Sequence, residues 1–252
     1  MGAELLALQT GSRRCQAKDL FAGAAQDFVE CACFVYLVRA PRRLILVDTG
    51  YGCRKNAVSG GCSGFISAAE LLSRLDISPQ QITDVVLTHA HESHIGALSD
   101  FKQARIYISV REVKAMREAL DRGNRAGFYR AEDWNALRSV PRLHLIRNCL
   151  AIDEHLRVDV VGGHTRGFLL PTFMTAGVSR VMLASDNVPL YRHLQGEDFP
   201  SQWCDGGADV RERLKLRMYT AFVLPGCDPL VMRRYPAAAP RIARILSSEL
   251  IN

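Results

Sequence analysis

Asp84-Val85-Val86-Leu87-Thr88-His89-Ala90-His91-Glu92-Ser93-His94-Ile95-Gly96 is the stretch from which the rest of the chain is best read. The chain holds 7 histidines in 252 residues, and three of them fall together here, directly after the apolar run Val85-Val86-Leu87. A short β-branched run bounded by polar residues reads as a buried strand, so the histidines sit where that strand ends and the chain turns towards a helix. His89 and His91 are two apart and lie on the same side of an extended chain, while His94 arrives from the turn. Imidazoles gathered at one point suit a divalent metal, zinc first, because a neutral ring nitrogen is its commonest ligand.

Upstream, residues 5–48 look like strands. Phe34-Val35-Tyr36-Leu37-Val38 and Leu44-Ile45-Leu46-Val47 flank a polar, Pro-containing turn, which predicts a hairpin. The second run ends in Asp48-Thr49-Gly50-Tyr51-Gly52, and an aspartate closing a buried strand caps a turn or braces a neighbour. Residues 54–64, rich in Gly, Ser, Asn and Cys, read as a mobile loop. Leu71, Leu72 and Leu75 then recur at helical spacing, a helix laid over the sheet.

Downstream, Ile106-Tyr107-Ile108-Ser109-Val110 alternates as a strand, and residues 111–121 have helical composition. The connector 122–143 carries Phe128, Tyr129 and Trp134 among several arginines. Those aromatics either wall a site or dimer contact or anchor the connector to the core. His144 and His155 stand outside any motif and read as surface or structural residues. Val158-Asp159-Val160-Val161 is a strand running into Gly162-Gly163-His164-Thr165-Arg166-Gly167, where paired glycines let the backbone turn tightly and present one imidazole. Arg180-Val181-Met182-Leu183-Ala184-Ser185 is the next strand and ends at Asp186. Residues 240–250 begin with proline and space Ile242, Ile245, Leu246 and Glu249 as a closing helix would.

Four motifs, together with an altered fifth, resemble those of the metallo-β-lactamase superfamily in their order along the chain, closest to its N-acyl-homoserine lactonase branch. Thr88 to Gly96 is similar to the T-H-x-H-x-D-H-x-G signature, with Ser93 where the family carries aspartate. Leu46 to Gly50, the Gly162-Gly163-His164-Thr165 turn, Asp186 at its strand end and Leu224-Pro225-Gly226-Cys227-Asp228-Pro229 resemble the others, with Cys227 where the final histidine belongs. The resemblance implies an αβ/βα sandwich of two mixed sheets with helices outside. It implies a first metal site of His89, His91 and His164, with Asp186 as fourth ligand or bridge. His94, Asp186 and Cys227 would remain for a second. Asp48 and Ser93 would stand behind the ligands. Arg166 and Tyr191 would meet the substrate, Arg166 its negative charge and Tyr191 a reacting carbonyl. Asp186 or Glu92 would handle protons.

Composition fits that frame. With 48% hydrophobic and 23% charged residues the chain reads as an ordinary globular protein, and one domain over residues 1–252 is the economical count. No apolar run approaches a membrane span and the first residues do not form a signal peptide, so the expectation is a cytoplasmic protein. Cys15, Cys31, Cys33, Cys53, Cys62, Cys149 and Cys204 are then expected to be reduced and structural or incidental. The net charge of +6 is scattered, and nothing resembles a base-reading helix or a stacking platform, so no nucleic-acid partner is expected.

Three functions follow. One is a hydrolase of a lactone, ester or thioester that uses one or two Zn2+ ions. Another is a mononuclear Fe2+ oxygenase built on two histidines and a carboxylate drawn from His89, His91, His164 and Asp186. The third is a non-catalytic descendant that binds a small molecule. The expected partner is a small-molecule substrate, and the chain would be a monomer or homodimer.

Overall fold

Leu5 and Ala7 alternate with Leu6 and Leu8 in the first strand, and all four are buried. Successive side chains of a strand point to opposite faces, so a strand buried at every position needs a packed layer on each side. The computed structural model provides both layers; it describes residues 3–21, 24, 27–123, 128–174, 180–195 and 222–247. Cys204 lies outside the described residues.

The strands are β1 (Glu4–Gln16), β2 (Phe28–Ala40), β3 (Arg43–Val47), β4 (Cys62–Ser63), β5 (Asp84–Val86), β6 (Arg105–Ser109), β7 (Leu143–Ile146), β8 (Cys149–Ala151), β9 (Leu156–Val160), β10 (Leu169–Met174), β11 (Arg180–Ser185), β12 (Phe222–Pro225), β13 (Ala237–Ala239) and β14 (Ile242–Ser247). The first sheet runs β13-β14-β1-β2-β3-β5-β6-β7, with β4 added to β1, and the second runs β12-β11-β10-β9-β8. Both are mixed. The succession β3, β5, β6, β7 is parallel in the first, and β11 lies parallel to β12 in the second.

The sheets face each other across one core, in which Phe34, Tyr36 and Val47 of the first meet Leu156, Leu169 and Leu183 of the second. The helices are α1 (Ala17–Leu20), α2 (Arg54–Ser59), α3 (Ala68–Ser73), α4 (Glu92–Ile95), α5 (Val110–Asp121) and α6 (Ala131–Ser139). Leu71 and Leu72 of α3, Met116 of α5 and Leu137 of α6 cover Leu37, Leu46, Val85 and Ile106 on the outer face of the first sheet. Each such large apolar side chain contributes about 1.5–3 kcal/mol relative to exposure. Helix α5 starts where it does because the Ser109 hydroxyl accepts the N–H groups of Arg111 and Glu112. Two mixed sheets with helices outside is the predicted architecture. Among the described residues, no helix is long and apolar enough to cross a membrane.

Two local expectations are corrected. Residues 54–64 are not simply a loop: they form α2 and β4, because Ala57 and Cys62 are buried and Cys62 pairs with Arg13 of β1. The expected closing helix over residues 240–250 is instead strand β14, seated between β13 and β1, with residues 248–250 outside the described set. Ile242 packs on the helix side of the sheet while Ala243 and Ile245 face the second sheet. A strand buried on both faces places apolar residues at odd as well as even separations, and here that imitates helical spacing.

Candidate metal centre

Four chain segments meet where the strands end. The segment after β5 carries His89, His91 and His94; β3 hands over to Asp48, β11 to Asp186, and the turn between β9 and β10 holds His164. The backbone bends sharply at these exits. Asp48 has φ 62° and Ser185 φ 44°, left-handed values uncommon for residues other than glycine. Conformations of this kind cost about 1–3 kcal/mol and persist only where the surroundings impose them.

At Asp48 that surrounding is a set of hydrogen bonds. Its Oδ1 accepts the Thr88 backbone N–H at 2.7 Å, and its Oδ2 accepts the Thr88 hydroxyl and His94 Nδ1, each at 2.8 Å. With its proton committed to Asp48, the Thr88 hydroxyl accepts from His89 Nδ1 at 3.0 Å. One carboxylate, directly and through Thr88, therefore orients two imidazoles and turns both Nε2 atoms into the site. His89 Nε2 is buried with no hydrogen-bond partner among the described residues.

Two groups of side chains have ligand atoms within 4.8 Å of one another: His89, His91 and His164, and then His89, His94 and Asp186. His91 Nδ1 and His164 Nε2 are 3.1 Å apart. Asp186 of the second group also faces the first, with Oδ2 3.5 Å from His164 Nε2 and 3.9 Å from His89 Nε2, and Oδ1 3.5 Å from His94 Nε2. Burial, together with the neighbouring imidazoles, holds His89 and His91 well below the usual histidine range. Burial would also lower His94, but Asp186 and Asp48 push it up to about 10. Burial would raise Asp186, yet His94, His164 and His89 hold it well below the usual carboxylate range. Neutral imidazoles at His89, His91 and His164, an ionised carboxylate at Asp186 and an orphaned inward nitrogen are the donor set a divalent cation requires.

Two positioning residues escaped the sequence reading. Asn187 Oδ1 accepts the His164 backbone N–H at 2.7 Å while its Nδ2 donates to the Gly162 carbonyl at 2.9 Å, pinning the turn that presents His164. A Cβ on Gly163 would come within 2.3 Å of that Oδ1, so the second glycine is a steric requirement. Glu112 of α5 is fully buried. Its Oε1 accepts from Ala90 N–H at 3.0 Å and Tyr129 O–H at 3.2 Å, and its Oε2 from Thr165 O–H at 2.6 Å and Gly167 N–H at 3.2 Å. It joins the loop of His89 and His91 to the turn of His164. The available signal was an acid one helical turn before Met116, on the buried face of an amphipathic helix.

A cavity of about 650 Å³ opens onto His91, His164 and Asp186 and is lined further by Arg13, Glu92, Ser93, Phe128, Arg130 and Cys227, among others. Phe128 stacks on His91 at 4.9 Å and Tyr129 meets it edge-on at 5.1 Å, so this part of the connector walls the site. Trp134 instead packs against the core beneath α6. Glu92, a candidate proton carrier, is bound by Arg130 Nη1 at 2.6 Å.

Other candidates stand outside both groups. Cys227 lines the cavity but joins neither ligand group; it is buried among Leu20, Phe21, Cys31 and Leu190. Arg166 is exposed and turned to Glu118 at 3.6 Å, drawn there by opposite charge. Tyr191 is buried in the core between the sheets, its ring under the Arg234 guanidinium at 3.9 Å. His144 is exposed and stacked on Tyr107, and His155 Nδ1 lies 3.4 Å from the Met174 carbonyl.

Within electrostatic reach of Glu92 and Arg130, Asp133 of α6 is buried, and its Oδ2 lacks a hydrogen-bond partner among the described residues. Burial, with Glu92 and Glu132 nearby, pushes its carboxyl up to about 7 against the pull of Arg130. The folded chain therefore holds this proton more tightly than the unfolded chain, whose aspartate titrates near ~3.9. Stability is fully present below pH ~4 and is lost as pH rises to about 7. Asp133→Asn is expected to raise the melting temperature by several degrees at pH 8 and to have little effect near pH 4. Equal shifts at both pH values would refute this.

Residues 29–178 match the model of the metallo-beta-lactamase superfamily, and the chain belongs to that family. The N-acyl homoserine lactonase AiiB of Rhizobium rhizogenes is 25% identical over 168 residues, covering 56% of this chain and 59% of its own length. The probable metallo-hydrolase Rv2300c of Mycobacterium tuberculosis is 29% identical over 94 residues, 32% of this chain and 30% of its own. The chain thus spans less than two thirds of the length of these curated relatives. Among solved structures, a quorum-quenching N-acyl homoserine lactone lactonase superposes with a TM-score of 0.76 at 14% identity, covering 97% of this chain and 99% of its own. AidC, a dizinc quorum-quenching lactonase, gives 0.71 at 22% identity, covering 98% and 96%. At these identities the structural likeness speaks for the fold.

Proposed function

We propose that this protein is a zinc-dependent hydrolase that opens a carboxylic ester, thioester or lactone with water. The observation that carries the reading is His89 Nε2, a buried orphan nitrogen set among the other ligand atoms. Leaving such a nitrogen unpaired costs about 1–3 kcal/mol, which a bound cation removes. His89, His91 and His164 would hold it, which leaves a fourth position open to water. Zinc there would polarise an acyl carbonyl and lower the pKa of water to about 7. Asp48 and Thr88 keep His89 and His94 in register, Asn187 and Glu112 keep His164 opposite them, and Phe128 with Tyr129 shields His91. With Glu92 engaged by Arg130 and Tyr191 buried away from the cavity, Asp186 is the carboxylate left to accept a proton from the attacking water.

A second reading rests on His89, His94 and Asp186, a two-histidine, one-carboxylate set that suits ferrous iron. Elemental analysis of protein purified without added metal separates the two, alongside an ester, thioester and lactone panel. Zinc with turnover supports the hydrolase; iron with oxygen-dependent product supports the oxygenase; no metal refutes both.

Stoichiometry follows from a shared residue. His89 belongs to both groups and has one free nitrogen, since Nδ1 is engaged by Thr88. Two ions therefore compete for it, and one zinc per chain is expected. Ser93 lies on the cavity wall one residue before His94, so Ser93→Asp is expected to raise the content towards two. Unchanged zinc in that variant would show that position 93 does not limit the second site.

A further inference from the structure

Three arginines line the cavity, and they are not equivalent. Arg14 pairs with Glu30 at 3.5 Å and lies 4.7 Å over the ring of Phe28. Arg130 is held by Glu92 at 2.6 Å and Glu132 at 3.7 Å. Among the described residues, Arg13 has no carboxylate oxygen within 4.0 Å.

Its position is set by the sheet. Arg13 pairs with Cys31 of β2 on one side and Cys62 of β4 on the other, so the point where its side chain leaves the backbone is fixed. The side chain is partly buried in the wall of the same cavity that opens onto His91, His164 and Asp186. The groups close enough to act on it electrostatically include Cys15, Asp186, Cys227 and Cys33. Hydrogen bonding to Cys31 and burial keep Cys15 protonated, and hydrogen bonding to Cys62 and burial do the same for Cys33, so neither supplies a counter-charge; Cys62, pulled down to about 7 by its bond with Cys33 and, in smaller part, by Arg13, supplies a partial one. Asp186 is already engaged by His94 and His164, each at 3.5 Å. A guanidinium partly withdrawn from water, with no side-chain hydrogen bond among the described residues, is matched by a carboxylate that can accept two parallel bonds.

We propose that Arg13 is the anion-recognition residue of this site, and that the substrate is an acyl compound bearing a remote carboxylate. The remainder of its body rests against Phe28 and Phe128, the two large exposed aromatics on the cavity wall. A cavity of about 650 Å³ accommodates a molecule of this kind. Arg166, expected from sequence to meet the negative charge, is turned to Glu118 instead. The inference rests on the hydrolase reading above.

The test compares monophenyl glutarate with methyl phenyl glutarate, which differ in whether the remote carboxyl is charged, on the zinc-loaded full chain. The kcat/KM ratio of charged to neutral ester is expected to be about tenfold or more in the wild type, the worth of a charge-assisted hydrogen bond. It falls towards one in Arg13→Gln and is partly retained in Arg13→Lys. A wild-type ratio near one, or a ratio unchanged in Arg13→Gln because both esters slow in parallel, overturns the proposal. Calorimetric binding of glutaranilic acid, the amide analogue that resists hydrolysis, keeps the two readings apart. If neither ester turns over but this probe binds the wild type about tenfold or more tighter than Arg13→Gln, the hydrolase reading fails and the Arg13 assignment stands. If binding too is indifferent to Arg13, the assignment fails.

Discussion

Replacing His89 with alanine is expected to strip the protein of metal and to cut hydrolysis on the order of a thousandfold or more. The magnitude follows from the several kcal/mol that a bound cation contributes to the transition state, at about 1.4 kcal/mol for each factor of ten. His89 is the decisive position because both ligand groups include it. Its ring centroid lies 4.0 Å from that of His94, 4.6 Å from His91 and 5.1 Å from His164, so it is the hub of the cluster. His91→Ala removes a ligand from one group and leaves the other intact. Elemental analysis and turnover on the same sample check the expectation, with a melting curve to separate metal loss from unfolding. Wild-type metal content in a folded His89→Ala protein would mean that the cation is held elsewhere.

The second large effect is on stability. Glu112→Ala removes a buried acceptor from four donors, the N–H groups of Ala90 and Gly167 and the hydroxyls of Tyr129 and Thr165. Donors left unpaired in the interior cost about 1–3 kcal/mol each before relaxation, and the hydroxyls can rotate while the backbone cannot. A net loss of about 3–5 kcal/mol is expected, and at ~2–4 °C per kcal/mol the melting temperature falls by roughly 10 °C. Burial pushes the Glu112 carboxyl up, and hydrogen bonds from Thr165, Ala90, Tyr129 and Gly167 pull it down. Glu112→Gln keeps one oxygen for two of the donors and should fall between wild type and alanine. Because Ala90 separates His89 from His91 and Thr165 follows His164, metal affinity should fall with stability. An unchanged melting temperature in Glu112→Ala would exclude the bracing role.

How much of this was legible in the sequence depended on whether the signal was local. The strand before His89, the glycine turn before His164 and the strand ending at Asp186 each combine a short apolar run with a turn residue, and each stands where it was expected. Asp48 was legible as a brace because an acid at the end of a buried strand needs donors, and Thr88 and His94 supply them. What sequence could not give was which of several plausible side chains points inward. Arg166, two residues after His164, turns to a carboxylate on α5, and Tyr191 is carried into the core. Arg13, in an unremarked stretch of β1, enters the cavity because β2 and β4 flank it. Glu112 lies in a helix far from any motif, and its partners come from three separate segments. The misread β14 shows the same limit, since its apolar spacing reflects two buried faces that only the assembled sheet reveals.

The pairing of β1 with β14 also bears on how the molecule assembles. Glu4 lies opposite Ser247, and β14 then follows β1 as far as the pair Leu8 and Ile242. During synthesis β1 can pair with β2 and β4 early, but from Glu4 to Leu8 its other edge must wait for β14. Contacts between residues so distant in sequence are formed slowly, because the entropy of closing the intervening chain is lost before they contribute. Until then β1 presents an open, apolar edge of the kind that recruits strands from neighbouring molecules. The strand that carries Arg13 into the cavity is therefore also one exposed to aggregation while the protein folds.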